Sequence, residues 1–152
     1  MIFKNFTELS LDEKKQILEK RNSPEVANFA INKNISLDEH LEFIEKLKFS
    51  KDIYLALFDD EEMIGVISFT RIDNDEGFFG LYKITQRKVG EILMNKMLEY
   101  GFKNLKLKKI KAEVFEQNTK ALKLYEKFGF KITKKHGNLL SIEFAMRGGG
   151  FK

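Results

Sequence analysis

The stretch VFEQNTKALKLYEKFGFK, Val114 to Lys131, changes conformation twice within a few turns of chain. Its β-branched and aromatic start ends a strand. Asn118 is a natural helix N-cap, and Ala121, Leu124, Tyr125 and Phe128 then recur at helical spacing on one face. Gly129 stops that helix and Phe130 opens another strand. On these grounds alone Tyr125 is a core residue with its hydroxyl at the rim, and Asn118 is an ordinary cap.

Working upstream, Val89, Leu93, Met97 and Tyr100 keep helical period from Val89 to about Asn104, and KIKAEVF (Lys109–Phe115) reads as a strand. The segment FFGLYKI precedes that helix as a strand of its own. Two strands joined through a helix, with about 25 residues between their centres, make a parallel pair with a right-handed crossover. Before this unit, IYLALF (Ile53–Phe58), MIGVISFTRI (Met63–Ile72) and FFGLYKI are separated by the turns DDEE (Asp59–Glu62) and DNDEG (Asp73–Gly77), which predicts an antiparallel meander. FKITKK and LLSIEFAM pair at the far end. Three helices come first: LSLDEKKQILEKR (Leu9–Arg21) with Ser10 as N-cap, PEVANFAI with Pro24 in its first turn, and SLDEHLEFIEKLKF with Ser36 and Glu39 at capping-box spacing. The expected fold is α/β of the α+β kind, with a mostly antiparallel sheet of six to seven strands, one parallel pair at its centre, and flanking helices.

At 152 residues the chain is the size of one domain, long enough for a substantial core. Residues 1–147 read as that domain and 148–152, the end of RGGGFK, as a flexible tail. There is no cysteine, which excludes disulfides, thiolate metal sites and a cysteine nucleophile. No metal is expected, and a reducing, cytoplasmic setting is the natural expectation. No apolar run reaches the roughly 20 residues of a membrane span, and MIFKNFTELSLDE does not read as a secretory signal. The 27 Lys and Arg outnumber 23 Asp and Glu, for a net charge of +4. They are spread along the chain rather than gathered with aromatics, which argues against a nucleic-acid partner. The run Lys103–Lys111 reads as a helix end and a solvated loop. A moderate positive field suits anionic small ligands.

The segment KITQRKVGEILM, from Lys83, raises a chemical possibility. A helix starting near Val89 leaves its first N–H groups unpaired, and with the helix dipole these form an anion site. Gly90 permits close approach, while Arg87 and Lys88 add charge. Neither GxxxxGK[ST] nor GxGxxG is present, so no nucleoside-triphosphatase or dinucleotide fingerprint is indicated. An ordinary basic turn is the alternative.

Taken together, N-x-x-A-L-x-L-Y-E-K-x-G-F (Asn118–Phe130), the IGVISF and FGLY strands and the basic loop feeding a helix resemble the GNAT acetyltransferase superfamily, in order and over essentially the whole chain. More narrowly, RNSPEV (Arg21–Val26), EHLEFIEKL (Glu39–Leu47), VGEILMN and KALKLYEKFGF resemble the sugar-nucleotide N-acetyltransferases of bacterial pseudaminic acid biosynthesis. Those enzymes acetylate the 4-amino group of UDP-4-amino-4,6-dideoxy-N-acetyl-beta-L-altrosamine. The usual superfamily loop is [Q/R]-x-x-G-x-[G/A]; aligned on Gly90, it puts Thr85 at the first position and Lys88 where a glycine usually stands. Lys20 and Arg21 lie where the sugar-nucleotide enzymes are expected to carry an aromatic.

The resemblance implies acetyl-CoA as cosubstrate. Leu81, Tyr82, Lys83 and Ile84 would pair its pantetheine arm as an extra strand, and Arg87, Lys88, Val89, Gly90 and Glu91 would hold its pyrophosphate. Asn118 would lie near the thiol, Tyr125 would contact the cofactor and act as general acid, and a backbone N–H near Tyr82 would stabilise the oxyanion. Without cysteine, direct attack by the acceptor amine is favoured. His40, Glu76 and Glu113 are candidate bases beside a water relay, and Arg21 and His40 are the expected contacts to a UDP-amino-sugar acceptor. His136 is a loop residue. A protein N-terminus is the alternative acceptor, and a non-catalytic GNAT-fold interaction module is the alternative of a different class. The sequence sets no oligomeric state, and a homodimer is compatible with it.

Overall fold

A computed structural model describes residues 1–27 and 34–145. In chain order these are β1 (Ile2–Asn5), a 3-10 turn (Phe6–Glu8), α1 (Leu11–Arg21), α2 (Pro24–Ala27), α3 (Leu37–Leu47), β2 (Ile53–Asp59), β3 (Glu62–Asp73) and β4 (Glu76–Lys83). Then follow α4 (Gly90–Glu99), a π-helical turn (Tyr100–Asn104), β5 (Lys109–Phe115), α5 (Thr119–Lys127), β6 (Lys131–His136) and β7 (Leu139–Ala145).

Local chemistry explains the helix starts. Ser10 and Ser36 each accept from the N–H three residues on, while Glu13 and Glu39 reach back to the cap backbone, so α1 and α3 both carry capping boxes. Acids fill their first turns and bases their last, the order that the helix dipole favours. The expected second helix is described only as Pro24–Ala27, and its remainder lies outside the described residues, as does the expected tail. The helix after β4 ends earlier than its periodicity predicts. At Tyr100 it passes into a π turn, with the Leu105 N–H bonded to the Tyr100 carbonyl at 3.0 Å.

The strands form one sheet in the order β1-β2-β3-β4-β5-β7-β6. All neighbours are antiparallel except β4 and β5. The sheet of six to seven strands with one central parallel pair is therefore present, with seven. The seventh is β1, which the helical reading of the N-terminal region passed over because four residues are too short for period-2 alternation to show. The two hairpin turns are also tighter than their acidic composition suggests: strand pairing reaches Asp59↔Glu62 and Asp73↔Glu76. Asp60, Asn74 and Asp75 take the positive φ that such tight turns need.

Each face of the sheet has its own core. On one, Ile67, Phe69, Phe79, Ile110 and Ile142 pack beneath Val89, Leu93, Met94 and Met97 of the α4 region and Tyr125 of α5. On the other, Ala56, Phe58 and Val66 pack against Ile17 of α1 and Ile44 and Leu47 of α3. Tyr82 and Ile84 border this second core, whereas Leu81 borders the first, as strand alternation requires. Thus β4 is sandwiched along its second half.

Candidate active site

The parallel pair is short. Only Glu76↔Lys109, Gly77↔Ile110 and Phe78↔Lys111 are in register. Beyond them β4 runs on to Lys83 and β5 to Phe115 with no pairing between them, so the sheet splits at its centre. The other edge of β4 stays paired with β3, through Val66↔Tyr82 and Gly65↔Lys83, and the Ile84 N–H bonds the Ile64 carbonyl at 2.9 Å. In an antiparallel ladder, alternate residues direct both main-chain groups to the same neighbour. Since Ile84 faces β3, so does Tyr82, and Leu81 and Lys83 turn their N–H and C=O groups into the split. The four-residue stretch expected to pair a ligand therefore divides in two. An extended amide-bearing molecule laid in the gap meets the backbone of Leu81 and Lys83, and the nearest oxyanion donors belong to those residues rather than to Tyr82 itself.

At the wide end of the split stands the N-terminus of α4. Val89 caps it without any side-chain hydrogen bond, whereas Ser10, Ser36 and Asn118 cap α1, α3 and α5. The first intrahelical bond is from the Leu93 N–H to the Val89 carbonyl, leaving the N–H groups of Gly90, Glu91 and Ile92 directed outward as anion donors. Gly90 packs closely under α5: a Cβ there would stand 3.2 Å from Leu124 Cδ2, so the leucine would have to shift to admit one. Lys88, where the family loop usually has glycine, is not among the positive-φ residues. The backbone at this position is one that lysine adopts without strain.

Arg87 has partners that its sequence position does not suggest. Its guanidinium bonds Glu62 Oε1 at 2.7 Å and Asp59 Oδ2 at 3.0 Å, and these two carboxylates hold its pKa above the ordinary arginine value. Its charge is compensated by the β2–β3 turn, which leaves Lys88 as the loop cation without an ion pair among the described residues.

Asn118 caps α5, its Oδ1 accepting from the Ala121 N–H at 3.4 Å, and so lies just past the end of β5 that has parted from β4. Two helical turns further on, Tyr125 is 8% exposed, with its ring edge-on to Phe79 at 5.2 Å between centroids. Phe79 is the first β4 residue beyond the paired segment, so Tyr125 stands at the apex of the split. Burial pushes its phenol pKa up to about 12, and the group stays protonated throughout the physiological range.

The remaining expected residues separate. His40 is 2% exposed, and its Nε2–H donates to the Lys14 carbonyl at 2.9 Å. It ties α3 to α1, and desolvation lowers its pKa. A ring enclosed and bonded in this way is placed to dock two helices, not to meet an acceptor, which corrects the reading of His40 as a substrate contact or base. Arg21 lies within electrostatic reach of His40, Tyr54 and Tyr82, at the border of the second core. Next to it, Glu25 feels Lys83 and Lys120 as well as its hydrogen-bonded Lys20. The α1–α2 corner is therefore within electrostatic reach of the end of β4 and the start of α5. Glu76 belongs to the closed end, 2.7 Å from Lys111. Glu113 belongs to the open end, on the β5 face opposite the buried Ala112 and Val114, and bonds Arg71 at 2.7 Å. The guanidinium of Arg71 in turn lies over the Phe78 ring, 3.6 Å from its centroid. No signal in the sequence pointed to Arg71 or Phe78, because a bulge between Thr70 and Asp73 sets the arginine there. Among the described residues no cluster of His, Asp and Glu is placed to hold a metal ion.

A sheet split beside a parallel contact, with an uncapped helix at its mouth, defines the acyl-CoA-binding class of N-acyltransferase folds. Residues 17–130 match the acetyltransferase (GNAT) family, and the chain belongs to that family. It is 46% identical over 131 residues to acetyltransferase PseH of Campylobacter jejuni strain 81-176, covering 85% of this chain and 83% of that one. The crystal structure of Campylobacter jejuni N-acetyltransferase PseH in complex with acetyl coenzyme A superposes with a TM-score of 0.83, at 35% identity over 96% of this chain and 99% of that one. A spermidine N-acetyltransferase from Vibrio cholerae, in complex with CoA and spermine, shares the fold with a TM-score of 0.80 at 17% identity, covering 95% of this chain and 94% of that one.

Proposed function

We propose that the chain transfers acetyl from acetyl-CoA directly to the 4-amino group of a UDP-amino-sugar, UDP-4-amino-4,6-dideoxy-N-acetyl-beta-L-altrosamine, in the biosynthesis of pseudaminic acid. The observation that carries the acetyl-transfer reading is the split after Phe78 and Lys111, where main-chain groups of Leu81 and Lys83 lack a strand partner on that side. An unpaired edge inside a sheet is a template for an amide-bearing arm. The acceptor follows from the likeness to PseH, an acetyltransferase of the sugar-nucleotide branch that the sequence resembles.

Pantetheine lies along β4, its amides meeting Leu81 and Lys83, and the pyrophosphate rests on the N–H groups of Gly90, Glu91 and Ile92, assisted by Lys88. The thioester then sits at the apex beside Tyr125. The acceptor enters beneath the α1–α2 corner, where Arg21 meets its diphosphate. Its ammonium gives up a proton to Glu113, or to water held there, and the amine nitrogen attacks the thioester carbon. The oxyanion takes a hydrogen bond from the split-facing N–H of Leu81 or Lys83. As the intermediate collapses, the C–S bond breaks, the CoA sulfur takes the Tyr125 proton, and the second proton shed by the attacking nitrogen restores the phenol by way of solvent, which leaves an amide, CoA thiol and, from Glu113, one proton for solvent. Acid and base stand on opposite sides of the sheet, so neither quenches the other.

The test is acetyl transfer to the UDP-amino-sugar compared with N-terminal peptides. Turnover of the sugar nucleotide at least about a hundredfold above any peptide is expected. Peptide turnover that equals or exceeds it would overturn the acceptor assignment.

A further inference from the structure

The loop between β4 and α4 contains no glycine before Gly90, yet it must present the N–H groups at the head of α4 in a fixed direction. Side chains hold it. The Arg87 N–H bonds Thr85 Oγ1 at 3.2 Å, and the Thr85 hydroxyl donates to Glu62 Oε2 at 2.8 Å. The other oxygen of the same carboxylate receives Arg87 Nη1 at 2.7 Å, and Asp59 receives Nη2 at 3.0 Å. Lys83 Nζ reaches the Arg87 carbonyl at 3.5 Å. An isolated ion pair at the surface is worth little. Here one carboxylate spends both oxygens on two residues of one short loop, and a second carboxylate of the same hairpin closes the clamp.

We infer that Glu62 and Asp59 are positioning residues for the cofactor: the acidic β2–β3 turn clamps Thr85 and Arg87 and thereby sets the direction of the pyrophosphate-binding N–H groups. The acidic turn supplies from outside the loop what glycine torsions supply within it. Arg87 serves by being held, and Lys88 is the cation left to meet phosphate. This rests on the proposed placement of the pyrophosphate at Lys88 and the N–H groups of Gly90, Glu91 and Ile92.

The inference is tested by measuring the affinity of the full chain for acetyl-CoA and for S-acetylpantetheine, which lacks the pyrophosphate. Glu62→Ala is expected to weaken acetyl-CoA about threefold to tenfold and to leave S-acetylpantetheine unchanged; a general loosening of the fold would weaken both. Arg87→Ala should show the same pattern, and the double variant should be no weaker than the worse single variant, because both changes open one clamp. Glu61→Gln, a neighbouring exposed carboxylate, is the control. If Glu62→Ala folds poorly, the isosteric Glu62→Gln carries the test. Unchanged or tighter acetyl-CoA binding in the Glu62 variants, with Lys88→Ala still weakening it, overturns the clamp and leaves the loop as the pyrophosphate site. No effect from either Lys88→Ala or Glu62→Ala overturns both.

Discussion

Tyr125 and His40 are both enclosed side chains that the sequence marks as chemically interesting, and their surroundings give them opposite uses. The phenol, raised to about 12 by burial, holds its proton at every pH where acetyl transfer is measured. Tyr125→Phe keeps the ring against Phe79 and removes only the donor, so kcat should fall about 10²-fold or more with little change in melting temperature; an undiminished kcat with chemistry rate-limiting refutes the acid role. The wild-type rate should show no alkaline loss attributable to this group below about pH 11. His40 is the reverse case, since its folded pKa lies below the unfolded value. Its contribution is complete above the unfolded pKa of about 6.5 and is lost as pH falls through the depressed folded value, because the unfolded chain then binds the extra proton. Urea titrations between pH 7.5 and 5 should show this loss in wild type and a smaller one in His40→Gln. Truncation in His40→Ala should cost about 2 kcal/mol by orphaning the Lys14 carbonyl, while acetyl transfer well below the melting temperature persists.

At the scale of elements, the proposed pyrophosphate site depends on how closely α4 rides on the sheet. A Cβ on Gly65 would meet Leu93 at 2.6 Å and the Tyr82 carbonyl at 3.0 Å. Because Gly65 is opposite Lys83 in the ladder, the contact that seats α4 also lies beneath the strand that lines the split. Gly65→Ala should therefore cost about 1–3 kcal/mol, read as a fall of several degrees in melting temperature, and should raise the KM for acetyl-CoA. The capping boxes of α1 and α3 are independent of the site. Ser36→Ala should cost about 1 kcal/mol and leave cofactor affinity unchanged. These elements were the most legible part of the sequence: the caps at Ser10 and Ser36, the bounds of β5 and the stop at Gly129 all stand where side-chain chemistry put them. Gly129 carries the positive φ, +103°, that ends α5. Local signals were weaker for β1, which is too short to show a period, and for the end of α4. There Gly101 lets the π turn sit against the sheet, since a Cβ would come 2.6 Å from Ile110 and 3.0 Å from Phe69. That constraint is set by residues distant in sequence.

Across the whole molecule the split is a defect in the sheet that a ligand repairs. Leu81 and Lys83 leave main-chain groups without a strand partner in the gap, and filling them should stabilise the native state by mass action. Acetyl-CoA at about a hundred times its dissociation constant should add about 2.7 kcal/mol, a rise of several degrees in melting temperature; no rise at millimolar acetyl-CoA would contradict cofactor binding. The order of strands and helices from α1 onward, the parallel crossover, the helix start at Val89 and Gly90 and the Asn118–Phe130 unit were all determined by the sequence itself, because periodicity, caps and turn residues act over a few neighbours. Pairing across distance was not. That Arg87 is held by Asp59 and Glu62, that His40 closes α3 onto α1, that Glu113 rather than Glu76 stands at the open end, and that Leu81 and Lys83 face the gap while Tyr82 faces β3 follow from register and packing between segments far apart in the chain. A residue type announces which bonds it can make; only the assembled sheet decides which partner stands within 3 Å.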